Sequence, residues 1–565
     1  MYQIVTVDKV EASVDFDAPL FLDTESVELY GKTRLVQIYQ EAWGHVLMVE
    51  HPSEAWIQDL MARSESVFHN AHYDITAMQQ NAGNRFIPER FADTFLAARL
   101  AFPRADGYTL DEVMAHVLGF DPYKAEGLVK KELQKSDWSK RVLSPEQLLY
   151  AAIDVFYLPK VYHAVKEQFE SLSYKLDMLA LRYALDFQWN GMPVDMKRVM
   201  DERVACAKAL QANPCEINPN SYVQVRKWLD CTESDDLALA RLAIKGNEKA
   251  KLIRLHRKML KRLNFLGKYA KQRIYGKFKP SARSGRFTSD DENLQQIPRA
   301  LKCIFAPPPG RVFVYADYAQ LELRTIAVIT KCVEMIRLFR NYEDLHDFVA
   351  VMLFGTGFTK EDRQVTKTCN FNFLYGGGIA VFLGILIKTV EILMNEGTAA
   401  TLRNKWRRLF KEISGWQERG IAAHRRGEVW STPFGRQYVG NLMTDQLNIQ
   451  NQGFGAEVAK LGLHYLLNEG KLANLGGILC NFIHDSYIIE CDDDPAVYKP
   501  IAEHLANSMQ EAWFEASKMT DVQNVPMPVK VLVGYNWGDI EAGQFIYRHE
   551  LKGDEYMDES LKDVA

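Results

Sequence analysis

The sequence predicts a multidomain chain, an α/β domain followed by a larger α+β region, on three observations. At 565 residues it exceeds what one hydrophobic core serves. Its first 165 residues alternate short apolar strands with amphipathic helices. Beyond them, two strand-borne aspartates, Asp317 and Asp485, flank a long helical stretch.

In order along the chain, apolar runs at 19–22, 34–40 and 45–49 read as strands of the first domain. Residues 166–235 read as mainly helical, broken by the turn-rich segments 190–195 and 213–220. From Arg241 to Lys279 a helical pattern carries fourteen Lys/Arg against one acid, Glu248, the footprint of a segment that tracks phosphates. A surface helix face is the plainer source of a charge run, but such faces usually mix signs. A Ser/Gly/Arg-rich stretch at 281–291 leads to Asp317; residues 331–430 read as helical and 431–548 as mixed. The acidic tail beyond Leu551 is expected to fray.

Composition excludes several classes. Hydrophobic content of 47% and charged content of 25% suit a globular chain rather than a disordered one. No apolar run reaches the roughly 18–20 residues that span a bilayer, and the N-terminus lacks the order of a signal peptide. Eight cysteines without a Cys-x-x-Cys pair point to reduced thiols and a cytoplasmic compartment.

Three residue pairs in the first domain carry chemistry. Asp23 and Glu25 end an apolar strand two apart, so the strand period turns both carboxylates to one face. Asn70 and Asp74 are four apart, as are Tyr150 and Asp154, which makes each pair neighbours on a helix. One such pair is more simply a surface acid or a cap; three in order are harder to explain that way. Four acids drawn together repel, and hard oxygen donors suit Mg²⁺ or Mn²⁺. Two such ions activate a water and stabilise the leaving oxygen of a phosphodiester.

In the second region Asp317 closes an apolar strand and Asp485 sits at the tip of a hairpin pattern, 482–489. Between them Arg363, Lys367, Phe371 and Tyr375 recur every fourth residue, drifting only ~40° per step on an α-helix and so forming one stripe. Thr359 with Asp362 supplies a helix start, and Gly376-Gly377-Gly378 the end. Arg and Lys on the stripe bind phosphates while Phe and Tyr offer stacking faces. Two carboxylates with a cationic helix suit two divalent metals gripping a triphosphate.

These segments, in this order, resemble the polymerase core of the family A (Pol I-type) DNA polymerases. The first-domain trio, with Asp93-Thr94, resembles the 3′→5′ proofreading exonucleases of ribonuclease H-like fold. Further segments are similar to family A: Ser284-Gly-Arg286, 293–298, Asp344-Leu-His346, 432–436 and 448–453. The resemblance implies an exonuclease domain at 1–165 followed by a right-hand polymerase. Linker helices, the start of the palm and a basic thumb would occupy 166–280, palm 281–330, fingers 331–430, and palm with tail 431–565.

It also implies roles. Asp23, Glu25, Asp74 and Asp154 would hold metals while Tyr150 orients the attacking water. Asp317, Asp485 and the backbone of Tyr318 would hold the polymerase metals, two Mg²⁺ (or Mn²⁺) per site. Arg363, Lys367 and His346 would grip the triphosphate, with Lys367 giving a proton to pyrophosphate. Phe371, Tyr375 and Gln320 would line the nucleotide site, and Glu322 would block a ribose 2′-OH. Arg286, Gln452 and His484 would read the minor groove or primer end, whose acceptors occur in every correct pair. Asn293, Gln295, Arg436, Asn448, Lys258 and Arg262 would complete the DNA contacts. Primer–template DNA and dNTPs are the implied partners, acting on a monomer.

Departures from the family matter too. Ser486 follows the second metal aspartate where the family often has Glu, and Ala319 and Leu321 are mild exchanges. Fewer than 25 residues precede Asp23, so a 5′-nuclease domain is not expected. The compact chain looks like a bacteriophage replicative enzyme. Rival readings are a ribonuclease D-like nuclease with a binding module, a non-catalytic DNA-binding relative, and an RNA or reverse-transcribing polymerase. The first leaves the Arg363–Tyr375 stripe unexplained, the second the retained carboxylates, and Glu322 argues against ribonucleotide use.

Overall fold

A computed structural model describes residues 1–553, so the last part of the acidic tail lies outside the described residues. The chain forms two compact units. The first comprises residues 1–189 together with 277–290 and 429–439; the second comprises 190–276, 291–428 and the chain from 440 onward.

The first unit is built on a six-stranded mixed sheet: β1 (Tyr2–Ile4), β2 (Leu20–Ser26), β3 (Thr33–Tyr39), β4 (Val46–Glu50), β5 (Ser66–Phe68) and β6 (Phe91–Asp93), in the order β1-β4-β3-β2-β5-β6. β2, β3 and β4 pair antiparallel, while β5 adds parallel to β2 and β6 parallel to β5. The three runs expected as strands are β2, β3 and β4. Leu20, Leu22, Val36, Ile38 and Leu47 are fully or nearly buried, as central strands covered on both faces require. The two later stretches each add a two-stranded ribbon: Lys277–Lys279 pairs with Thr288–Asp290, and Trp430–Ser431 with Gln437–Tyr438.

The second unit contains a five-stranded antiparallel sheet: β7 (Arg311–Tyr318), β8 (Ile478–Ile483), β9 (Ser486–Asp492), β10 (Val529–Gly534) and β11 (Tyr547–Leu551), ordered β8-β9-β7-β10-β11. The 25-residue helix Met443–Leu467 crosses close to it at Gly462, where a Cβ would meet the Tyr318 and Tyr487 hydroxyls at 2.6 Å. Only glycine permits that approach. Residues 331–430 are helical as expected, including Val333–Arg340, Leu345–Phe354, Lys360–Leu374, Glu396–Leu409 and Lys411–Arg426.

The basic stretch is organised differently from its linear reading. Arg254 pairs with Asp236 and Glu391, Arg262 with Glu202, Lys271 with Glu292 and Arg273 with Glu490. Arg257 is spent on the carbonyls of Pro219 and Ser234. Acids distant in sequence therefore pair with these four of the fourteen cations, and Lys258, Lys261 and Lys268 are among those exposed.

Candidate active sites

In the first unit, Asp23 and Glu25 project from β2, and the helix Pro145–Phe156 brings Asp154 to them. One carboxylate oxygen from each of the three lies within 4.8 Å of the others. Asp74, on the helix Ala71–Ala82, is anchored beside this cluster, its Oδ1 accepting from the Thr24 amide (3.1 Å) and hydroxyl (2.7 Å). Burial, then the charges of Asp154 and Asp74, push Asp23 and Glu25 well above the usual carboxylate range. Burial pushes Asp74 up to about 7 and Asp154 up to about 6, the latter opposed by Lys130 and by hydrogen bonds from Tyr123 and Tyr150. Carboxylates held this close against solvent fit a hard divalent cation.

The Asn70–Asp74 spacing needs correction. Asn70 stands outside the helix in the left-handed region (φ 76°), so the two do not share a helical face. Asn tolerates that conformation better than other non-glycine residues, and Asp93 holds it. The Asp93 carboxylate accepts from the amides of Asn70 (3.0 Å), Ala71 (3.1 Å) and Phe95 (2.9 Å), fixing where the Asp74 helix begins. Tyr150 is buried, its ring 5.8 Å from that of Tyr123. Tyr123 donates to Asp154, and neither it nor Lys130 was found from sequence.

In the second unit, strand register makes the pair. Asp317 on β7 lies opposite Ser486 on β9, so Asp485, one residue earlier at the β8–β9 turn, stands beside it. His484 takes the left-handed conformation (φ 57°) that closes this turn, and the Ser486 hydroxyl donates to the Ile483 carbonyl (3.1 Å). Asp317 opens to solvent, yet the surrounding protein, then Asp485 and Glu541, raise its pKa well above the usual range.

The helix Lys360–Leu374 starts at the expected capping box, with Thr359 and Asp362 exchanging hydrogen bonds of 2.8 and 3.1 Å. Its Val365, Thr366, Cys369 and Phe373 are buried, while Lys367 and Phe371 are exposed. Arg363 is held by Asp344 (3.0 Å) and Asp347. His346 is buried, its Nδ1 2.9 Å from Asn370 Nδ2, and burial pulls its pKa down to about 4, so it is neutral at pH 7. Lys367, Phe371, Tyr375 and Asn448 line a cleft of about 600 Å³.

Tyr375 donates to Glu322 Oε2 (2.8 Å), and Asn451 Nδ2 donates to both the Tyr375 hydroxyl and the Glu322 carbonyl (3.0 Å each). Asn451 went unnoticed in the sequence, although it lies inside the 448–453 segment. Gln320 has left-handed φ (55°) at the start of the helix Leu321–Thr330. Tyr318 is buried against Gly462.

The expected DNA contacts divide. Lys258 is exposed, His484 sits exposed at its turn, and Gln452 and Asn448 are half-buried. Asn293 Oδ1 accepts from the Gln295 amide (3.0 Å), and Gln295 Nε2 donates to the Phe482 carbonyl (3.2 Å), tying that segment to β8. Arg286 is half-buried in the first unit's ribbon loop. Two cases are corrected. Arg262 is engaged with Glu202 and the Ala300 carbonyl. Arg436 is only 2% exposed, one guanidinium nitrogen donating to both oxygens of buried Asp177 (2.7 and 2.8 Å). A guanidinium withdrawn from water into such a pair braces the fold rather than reaching a phosphate.

Comparison with known proteins gives two family matches. Residues 225–539 match the family model described as DNA polymerase family A, and residues 7–170 match that described as 3′-5′ exonuclease. DNA polymerase I of Aquifex aeolicus is 28% identical over 92% of this chain and 95% of its own length. The thermostable DNA polymerase I of Thermus filiformis is 28% identical over 48% of this chain and only 33% of its own length. Among solved structures, the POL domain of Pol1 from M. smegmatis, in complex with DNA primer-template and dNTP, superposes with a TM-score of 0.74 at 19% identity. That likeness covers 94% of this chain and 98% of the other. These relatives are bacterial and lend no support to a bacteriophage origin. With its family-A match spanning more than half its length and following an exonuclease domain, the chain belongs to DNA polymerase family A.

Proposed function

We propose that the chain copies a DNA template from dNTPs in its second unit and removes 3′-terminal nucleotides at a separate site in its first. The observation that carries this reading is the β7–β9 register, which sets Asp317 and Asp485 side by side at the end of a sheet. Primer extension tests it. With Mg²⁺ and four dNTPs a labelled primer should reach template length; without dNTPs it should shorten. Shortening without extension would favour a nuclease.

In this reading Asp317 and Asp485 would hold two divalent cations, and the Asp23–Glu25–Asp74–Asp154 group two more. Such cations would supply a lowered pKa for the attacking hydroxyl or water and neutralisation of the leaving oxygen. The chain's own residues do the rest. Arg363 and Lys367 receive the triphosphate, Lys367 supplies the leaving pyrophosphate's proton, and His346 serves as a neutral hydrogen-bonding group. Phe371 faces the sugar and Tyr375 the templating side. Gln452 and His484 check the minor groove, while Asn293, Gln295, Asn448 and Lys258 support the DNA. The division into palm, fingers and thumb, and a cytoplasmic monomer, belong to the same proposal. No helix among the described residues is long and apolar enough to cross a membrane.

The Glu322 carboxylate accepts from the Tyr375 hydroxyl, which Asn451 holds in turn, so swinging aside for a 2′-hydroxyl would break that hydrogen bond. Glu322→Ala should raise ribonucleotide incorporation relative to deoxynucleotide by on the order of 10²-fold; unchanged discrimination in single-nucleotide kinetics would reject the gate. Phe371→Tyr adds a hydroxyl where the 3′-OH of the incoming sugar is expected. It should ease dideoxynucleotide use roughly tenfold, and chain-termination assays showing no change would move the sugar contact elsewhere.

A further inference from the structure

Around Asp154 the first unit holds side chains that the metal-ligand set does not explain. Tyr123, 1% exposed on the short helix Pro122–Ala125, donates its hydroxyl to Asp154 Oδ1. Its ring is held from several sides. Lys130 Nζ lies 5.2 Å from the ring centroid and is itself fixed by Asp111 at 2.8 Å. Asp121 accepts from the Tyr123 amide (3.0 Å), and the Tyr150 ring stands 5.8 Å away.

We propose that Tyr123 is a positioning residue of the exonuclease site, fixing the rotation of the Asp154 carboxylate so that it meets Asp23 and Glu25 in a preset metal-binding geometry, with Lys130 and Asp111 holding the ring in place. The inference rests on the exonuclease reading above. An aspartate turns readily about its terminal torsion; Tyr150 also hydrogen-bonds Asp154, and with Tyr123 on Oδ1 two donors together define the carboxylate's rotation, so losing one loosens it. A phenol has a single O–H, and Tyr123 directs it at Asp154 Oδ1. Hydrogen-bond partners behind metal ligands commonly matter by about 10–100-fold in affinity or activity.

The test is Tyr123→Phe, which removes one oxygen and keeps the ring. In the full chain carrying Asp317→Asn and Asp485→Asn, Mn²⁺ alone is titrated by paramagnetic resonance. The dissociation constant at the first unit should rise by on the order of 10–100-fold. In the otherwise unchanged chain, exonuclease kcat should fall by a similar factor with KM for the DNA end and primer extension unaltered. The unfolding midpoint in chelator should also be unaltered. Mn²⁺ affinity within about twofold of the parent, or a loss matched by a lowered midpoint, would overturn the proposal. If Asp23→Ala with Glu25→Ala abolishes degradation while Tyr123→Phe is silent, only this inference fails. A wild-type chain that never shortens DNA removes the exonuclease reading itself.

Discussion

Asp317→Asn should reduce nucleotide incorporation by about 10³-fold or more, a barrier increase of about 4 kcal/mol, and Asp485→Asn should do the same. The amide keeps the shape of the side chain and loses the charge that a divalent cation requires. The two positions are expected to fail alike because the register places them at one point, Asp317 facing Ser486 and Asp485 preceding it. Single-turnover extension of a labelled primer measures the loss, and shortening in the absence of dNTPs serves as the internal control. Extension at the wild-type rate in either variant would mean that the carboxylate pair is not the reacting centre. Loss of extension and shortening together would point to a damaged chain.

Asp23→Ala with Glu25→Ala gives the second large effect, in the opposite half of the chemistry. Degradation should drop by about 10³-fold or more, again about 4 kcal/mol, with extension retained. Loss of both activities would mean the sites are not separate. The same variant has a stability signature. Asp23 and Glu25 have unperturbed values of 3.8 and 4.5 and titrate well above them when folded. Between those values and the raised ones the folded chain binds more protons than the unfolded chain, so stability falls as pH rises through that window. Asp74, at about 7, and Asp154, at about 6, act in the same direction. With metal chelated, the double variant should therefore unfold at a higher temperature than wild type at pH 8. The gain is on the order of 2–4 °C per kcal/mol of repulsion relieved, and it should close as the pH approaches 4. A midpoint that falls at pH 8 would contradict the account of these acids as mutually repelling.

What the sequence shows and hides follows the reach of each interaction. Strands β2, β3 and β4, the Thr359–Asp362 cap and the helix carrying Arg363, Lys367 and Phe371 arise from spacing within a few residues, and the chain folds them as read; Tyr375 caps that helix rather than continuing it. The β8–β9 hairpin was legible for the same reason. Partner choice across the chain was not. Nothing near Arg436 announces Asp177, 259 positions away, and nothing in the 241–279 run announces Glu202 or Glu490. Asn70 looked helical by spacing because the Asp93 carboxylate, which pulls the backbone into a left-handed turn there, lies 23 residues on. Tyr123 and Asn451 went unseen because a lone tyrosine or asparagine has no periodicity; only the fold shows what each touches.

The buried Arg436–Asp177 pair bears on how this protein divides. Gly285, at φ +80°, packs so tightly on the Arg436 guanidinium that a Cβ there would come within 2.7 Å of it, so residues 277–290 and 429–439 lock into the first unit together. The first compact unit is thus stitched from three stretches of chain, of which the exonuclease match lies wholly in the first. A chain cut after residue 189 would lose both ribbons and, with Arg436, the guanidinium that pairs with Asp177. Exchanging the whole first unit between relatives would have to carry all three stretches, or replace the pair with apolar residues of similar volume.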